Sequence, residues 1–213
     1  MAHYQLSTVL KEFVAQLRRT EGLASCAPRW ASQSHRCVPK FSTWHQETVM
    51  GLAFLQAWLA WEVFLEESFI LYLLGKKPPK GSGPVRYALP PNRSTADSLV
   101  VPVGRRYADW RAENAKARAK QFFRDGEPYV SALDSQQHAL DEMRTVRNAI
   151  AHSSRYSRQQ FEGLTRRRLV THPRGLTAGK FLALTVPGSS PPESFLEHYL
   201  LQLRLLASSI VPS

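Results

Sequence analysis

The segment from Gln46 to Leu74 (QETVMGLAFLQAWLAWEVFLEESFILYLL) limits what this chain can fold into more than any other stretch. Its length and apolarity match a membrane span. Three glutamates, Glu62, Glu66 and Glu67, stand within it, and ionised carboxylates in hydrocarbon are costly. The expected structure is instead a central bundle helix, buried nearly all round. Such a helix has to be covered by several others. Glu62 and Glu66 lie one turn apart and share a face. They are expected either to form a solvated or arginine-paired face or to line a site.

Partner helices can be read on both sides of this segment. Residues 4–20 carry Leu6, Val9, Leu10, Phe13, Val14 and Leu17 at helical spacing. Residues 21–43 read as a loop. Gly75 is expected to end the apolar helix, and the Pro-, Gly- and Lys-rich stretch 75–104 to form a loop insertion with a short strand at Ser98–Val103. A helix follows over 105–125, with Lys116, Arg118 and Lys120 on its exposed side. Residues 130–159 are expected to form one long helix that frays after His152, and Phe161–Val170 a short basic helix or turn. Residues 171–192 read as a Pro/Gly-rich connection containing a strand at Phe181–Val186. A final amphipathic helix covers 193–211. The expectation is an all-α, up-and-down bundle of about five main helices, a single domain over residues 1–213.

The chain has 213 residues, a net charge of +11 and a hydrophobic share of 43%, enough for a real core. A basic excess of this size, carried mostly by arginine, points to a polyanionic partner. Only Cys26 and Cys37 are present, which argues against a disulfide framework and for a reduced cytoplasm. Together with His35 and His45 they lack the close-paired spacing of zinc motifs, so no metal and no cofactor is expected. The first residues show no basic region followed by an apolar run, hence no secretory signal is expected.

Arg147-Asn148-Ala149-Ile150-Ala151-His152 is the stretch that carries chemistry. Arginine offers a permanent cation with several donors, suited to phosphate. Histidine exchanges protons near neutral pH. The pairing suits phosphodiester chemistry without a metal. Arg167 and His172 repeat the bare spacing, but they lie just before Pro173, where a helix must end. At about 100° per residue, Ala139, Leu140, Met143, Val146 and Ile150 share one side of the motif helix. Arg147 falls at the edge of that apolar stripe. Arg144, Asn148 and His152 follow one another at i, i+4 spacing along the flank. From Arg144 to Lys180, nine basic residues stand against one acid, Glu162. Arg155, Arg158, Arg166, Arg167 and Arg168 are thereby candidates to hold an RNA backbone. Tyr156 and Phe161 are expected to pack in the bundle, with base stacking the alternative.

The stretch TVRNAIAHSS resembles the signature of the HEPN superfamily, small helical bundles with an Arg-polar-x(3–5)-His motif near the start or end of a late helix. Arg147, Asn148 and His152 match it. The apolar helix with Glu62, Glu66 and Glu67 is similar to an early family helix, and the resemblance spans about 46–170. The first 45 residues, the tail after 171 and the 75–104 insertion lie outside it. The resemblance implies a metal-independent endoribonuclease, often a toxin or phage-defence effector. It also implies a homodimer whose two motif helices form one composite site, and an antitoxin as a possible protein partner. Glu62, Glu66 and Arg144 are possible supporting residues. Two other readings stand beside it. One is a non-catalytic module binding nucleotide, RNA or protein. The other is a membrane-surface protein, which the three glutamates argue against.

Overall fold

A computed structural model describes residues 5–32, 42–169 and 173–213, with the side chains of 27–32 left aside. The described chain is all-α: α1 (Leu6–Ser32), α2 (Thr43–Leu73), α3 (Arg93–Val100), α4 (Ala112–Phe122), α5 (Tyr129–Ser135), α6 (Gln137–Ala151), α7 (Arg155–Leu169), α8 (Ala178–Ala183) and α9 (Phe195–Ile210). A single 3-10 turn, Arg124–Gly126, separates α4 from α5. The helices group into two compact units interleaved in sequence. The first comprises Met1–Ala15, Ala60–Gln137 and Leu203–Ser213, the second Gln16–Leu59 and His138–Gln202.

The first unit is organised around aromatic side chains. The Phe69 ring lies 4.8 Å from Phe123, 5.2 Å from Tyr129 and 5.3 Å from Trp110. Phe13 of α1 packs on Phe64 and Trp61. Buried hydroxyls find partners, as they must away from water: Tyr129 OH lies 2.9 Å from Ser68 Oγ, and Tyr72 OH donates to the Ile210 carbonyl. Gly75 ends α2 as expected, with φ +82°. Its amide donates to the Tyr72 carbonyl and that of Lys76 to Leu71, the paired bonds of a Schellman cap. Arg86 donates to the Leu73 carbonyl, placing a cation where the helix dipole is negative.

In the second unit Phe181 of α8 stacks on Phe195 of α9 at 4.2 Å and meets Phe161 of α7 edge-on at 5.7 Å. Phe195 and Phe54 of α2 both approach Tyr199. Two glycines allow close helix contact. Gly51 of α2 faces the Ile150 side chain of α6, and Gly179 of α8 lies directly on the α2 backbone at Glu47. The start of α9 is a capping box: the Glu197 amide donates to Ser194 Oγ, and Glu197 Oε2 accepts from the Ser194 amide.

Several sequence expectations are corrected. Residues 21–32 continue α1 rather than forming a loop. No strand forms among the described residues. The first half of the proposed strand at 98–103 lies in α3, which Asn92 initiates by accepting from the Thr95 amide. The one at 181–186 overlaps α8, capped by Thr177 through the Lys180 amide. In both cases a local side-chain cap satisfies one first-turn amide, and among the described residues only isolated bridges, Arg86–Phe123 and Thr185–Ser194, remain. The stretches 75–104 and 171–192 therefore each contain a short helix. The long helix over 130–159 is three: α5 stops at Ser135, α6 runs to Ala151, and α7 is a full helix to Leu169.

The apolar helix is real but not covered all round. α2 is long and apolar enough to cross a membrane, yet its Phe54, Phe64, Leu65, Phe69 and Ile70 are fully buried within the fold. Leu52, Leu59 and Val63 stay exposed, at 52%, 48% and 58%.

The Gly179 contact carries a clear expectation. A Cβ there would sit 2.1 Å from the Glu47 carbonyl oxygen, so α8 must move off α2. Gly179→Ala is expected to destabilise the chain by about 2 kcal/mol or more in urea unfolding; an unchanged midpoint would contradict the close packing.

Candidate active site

The motif sits at the end of α6, where the apolar stripe holds the helix in place. Leu140, Met143 and Val146 are buried, and Ile150 packs against Gly51. That leaves Arg147 half-buried at the edge of the stripe and His152 exposed just past the last turn. The His152 amide still donates to the Asn148 carbonyl at 2.9 Å, so its position is fixed by the helix. Arg147 Nη1 lies 3.2 Å from Asn148 Oδ1 and 3.2 Å from His152 Nε2. One guanidinium nitrogen thus joins all three motif residues. Arginine is always protonated and only donates. In this contact Nε2 is the acceptor, which places the neutral ring's proton on Nδ1.

Three residues separate α6 from α7, and the turn is fixed locally. Ser154 Oγ accepts from the Ser157 amide, and the Ser154 carbonyl accepts from Arg158, an N-cap for α7. Arg155, Arg158, Arg166 and Arg167 are exposed on α7, as the charge run suggests. Tyr156 is 70% exposed rather than packed, whereas Phe161 is buried. Arg144 is half-buried and pairs with Asp141 one turn away at 3.5 Å. His172 of the second spacing match, with His35 and Cys37 of the discarded zinc set, lies outside the described residues.

Arg168 departs from its expected role. It turns inward, 3.4 Å from Glu142 and over the Phe195 ring at 5.5 Å. Glu142, only 5% exposed, also accepts from Tyr199 OH at 3.3 Å and lies 3.3 Å from His138 Nε2. A buried carboxylate needs such partners. Glu142 therefore ties α6 to α7 and α9. Its only signal in the sequence is a position beside the apolar stripe. Arg118, expected on an exposed face, is likewise buried at 7%. It stacks 4.5 Å from the Trp110 ring and donates to the carbonyls of Val100 and Asp109.

Glu62 and Glu66 belong to the first unit, while the motif belongs to the second. Both are half-buried. Their neighbour Glu67 takes both terminal nitrogens of Arg93. The Glu66 carboxyl is held above its ordinary value, first by burial and next by the negative charge of Glu67. Asp97 adds to this and Arg93 opposes it.

Comparison with family models, curated proteins and solved structures yields no match to this chain.

Two measurements probe these buried groups. Glu142→Ala leaves Arg168 without its ion-pair partner and Tyr199 without its acceptor, and is expected to cost about 2 kcal/mol. Glu142→Gln, which still accepts from Tyr199, should lose less; equal losses would argue against the hydrogen-bonded arrangement. For Glu66 the raised folded pKa means that ionisation disfavours the folded state above it, and this penalty disappears below the ordinary value of 4.5. Glu66→Gln should therefore raise the melting temperature at about pH 7 and give no gain at about pH 4.

Proposed function

We propose that the chain is a metal-independent endoribonuclease of HEPN type, with Arg147, Asn148 and His152 as its reacting groups. The observation that carries this reading is the shared Arg147 nitrogen, 3.2 Å from both Asn148 Oδ1 and His152 Nε2 at an accessible helix end. In the proposed reaction a ribose 2′-oxygen attacks the adjacent phosphorus and the bond to the 5′-oxygen breaks. His152 takes the 2′-hydroxyl proton through Nε2 or returns one to the leaving 5′-oxygen. The products are a 2′,3′-cyclic phosphate and a 5′-hydroxyl.

Arg147 has two roles in sequence. Without substrate its guanidinium occupies the Nε2 lone pair. An arriving phosphate offers a stronger, charge-assisted partner, drawing Arg147 away and freeing Nε2 as a base. The same guanidinium then stabilises charge building on the phosphoryl oxygens. Asn148 holds Arg147 and orients the exchange. The exposed arginines Arg155, Arg158, Arg166 and Arg167 supply backbone contacts, and Tyr156 offers a face for a base. A homodimer that brings two His152 side chains to one phosphate fills the acid and base roles together. A protein antitoxin would act by covering the α7 arginines, and the biological setting would be a toxin or phage-defence system.

The test is cleavage of total RNA and of tRNA by the purified protein in EDTA. Fragments ending in cyclic phosphate are expected, with DNA left intact because it lacks the 2′-hydroxyl. Arg147→Ala and His152→Ala should each lower the rate by roughly a hundredfold or more. The triple change of Arg155, Arg158 and Arg166 to Gln should weaken RNA binding and flatten its salt dependence by about 2 logarithmic units per decade. RNA binding without cleavage under any condition would establish a non-catalytic module instead, and a strict requirement for a divalent metal would falsify the scheme.

A further inference from the structure

The second unit contains a cavity of about 540 Å³ bordered by α1, α2, α8 and α9. Its volume is within the range of small-molecule sites, about 300–1,000 Å³. None of its described lining residues comes from α6 or α7. It is therefore separate from the Arg147–His152 cluster and independent of the ribonuclease reading.

The wall is mainly apolar, with Met50, Leu196 and Leu200 among its side chains. The charges at it run against the rest of the chain. Among its described lining residues three carboxylates, Glu21, Glu47 and Glu197, stand against one cation, Lys180, in a chain of net charge +11. Lys180 is already engaged: its Nζ lies 3.2 Å from Glu47 Oε1 and donates to the Gly175 carbonyl. The other Glu47 oxygen accepts from Thr177. Glu197 accepts from the Ser194 amide and hydroxyl, neutral donors that leave its charge in place. An anion entering the cavity meets the Glu197 carboxylate and a lysine already bound to Glu47. A cation meets the exposed carboxylate of Glu197 beside the apolar wall.

We infer that this cavity binds a small amphiphile with an apolar body and a cationic amine head. The apolar body fills the chamber against Met50, Leu196 and Leu200, and the ammonium group is drawn to Glu197. The sign of the preference is the distinguishing feature. A protein this basic attracts anionic amphiphiles non-specifically, so selection of the cationic one has to come from a local site.

The experiment is displacement of Nile red from the full chain by decylamine, decanol and decanoate, each below its aggregation concentration at neutral pH. Decylamine, protonated there, is expected to bind roughly tenfold or more tightly than decanoate, with decanol between. Glu197→Gln should bring the three affinities together. Ala183→Phe and Ala24→Phe, which fill the cavity from α8 and from α1, should abolish displacement while circular dichroism shows a folded chain; either one folding suffices for this arm. Decanoate binding as tightly as decylamine, or displacement unchanged in a folded filling variant, or no displacement by any of the three, would overturn the inference. The variants leave the motif intact, so RNA cleavage measured in parallel reports on the other reading separately.

Discussion

The buried carboxylate of Glu142 is the contact on which the candidate active site depends. It comes from α6 and is met by Arg168 of α7 and Tyr199 of α9. Taking a carboxylate out of water is unfavourable unless it is paired and hydrogen-bonded. The three helices are therefore constrained to the arrangement that supplies those partners. The three-residue connection holding His152 spans α6 and α7, two of the helices so fixed. The apolar stripe of Leu140, Met143 and Val146 sets the rotation of α6. Glu142 links that rotation to its neighbours, and Arg147 and His152 emerge at a defined place as a result.

The arginines of the second unit divide by what lies beneath them rather than by their type. Arg166, Arg167 and Arg168 are consecutive, yet the first two are exposed and the third is committed to Glu142 and the Phe195 ring. On a helix each step turns the side chain by about 100°, so a run of like residues cannot share one role. What remains on the surface of α7 is a basic face beside the motif, suited to a polyanion. Among the described residues lining the cavity bordered by α1, α2, α8 and α9, carboxylates outnumber cations. One unit thus presents two environments of contrasting charge.

Arg147 shows how a catalytic scheme of this kind is poised. Its guanidinium is held by Asn148 and faces Nε2 of His152. The guanidinium donor occupies the Nε2 lone pair. In the proposed reaction the substrate's own phosphate relieves the contact. Binding and activation of the base then become one event.

The sequence by itself determined the all-α class, the long apolar helix with its stop at Gly75, the buried face of α6 and the edge position of Arg147. Each follows from periodicity or from a local conformational requirement, which a single segment contains. The tertiary structure alone decided which charges go inside. Arg118 is buried because Trp110 and the carbonyls of Val100 and Asp109 receive it, and Arg168 because Glu142 does. These partners lie 8 to 26 positions away in the chain, so no helical wheel reveals them. The short helices α3 and α8 were hidden for a different reason. Apolar runs of six to eight residues suit strand and helix alike, and the caps at Asn92 and Thr177 settle the matter through single side-chain hydrogen bonds. The cavity was also beyond sequence, because its walls come from four segments that only packing brings together.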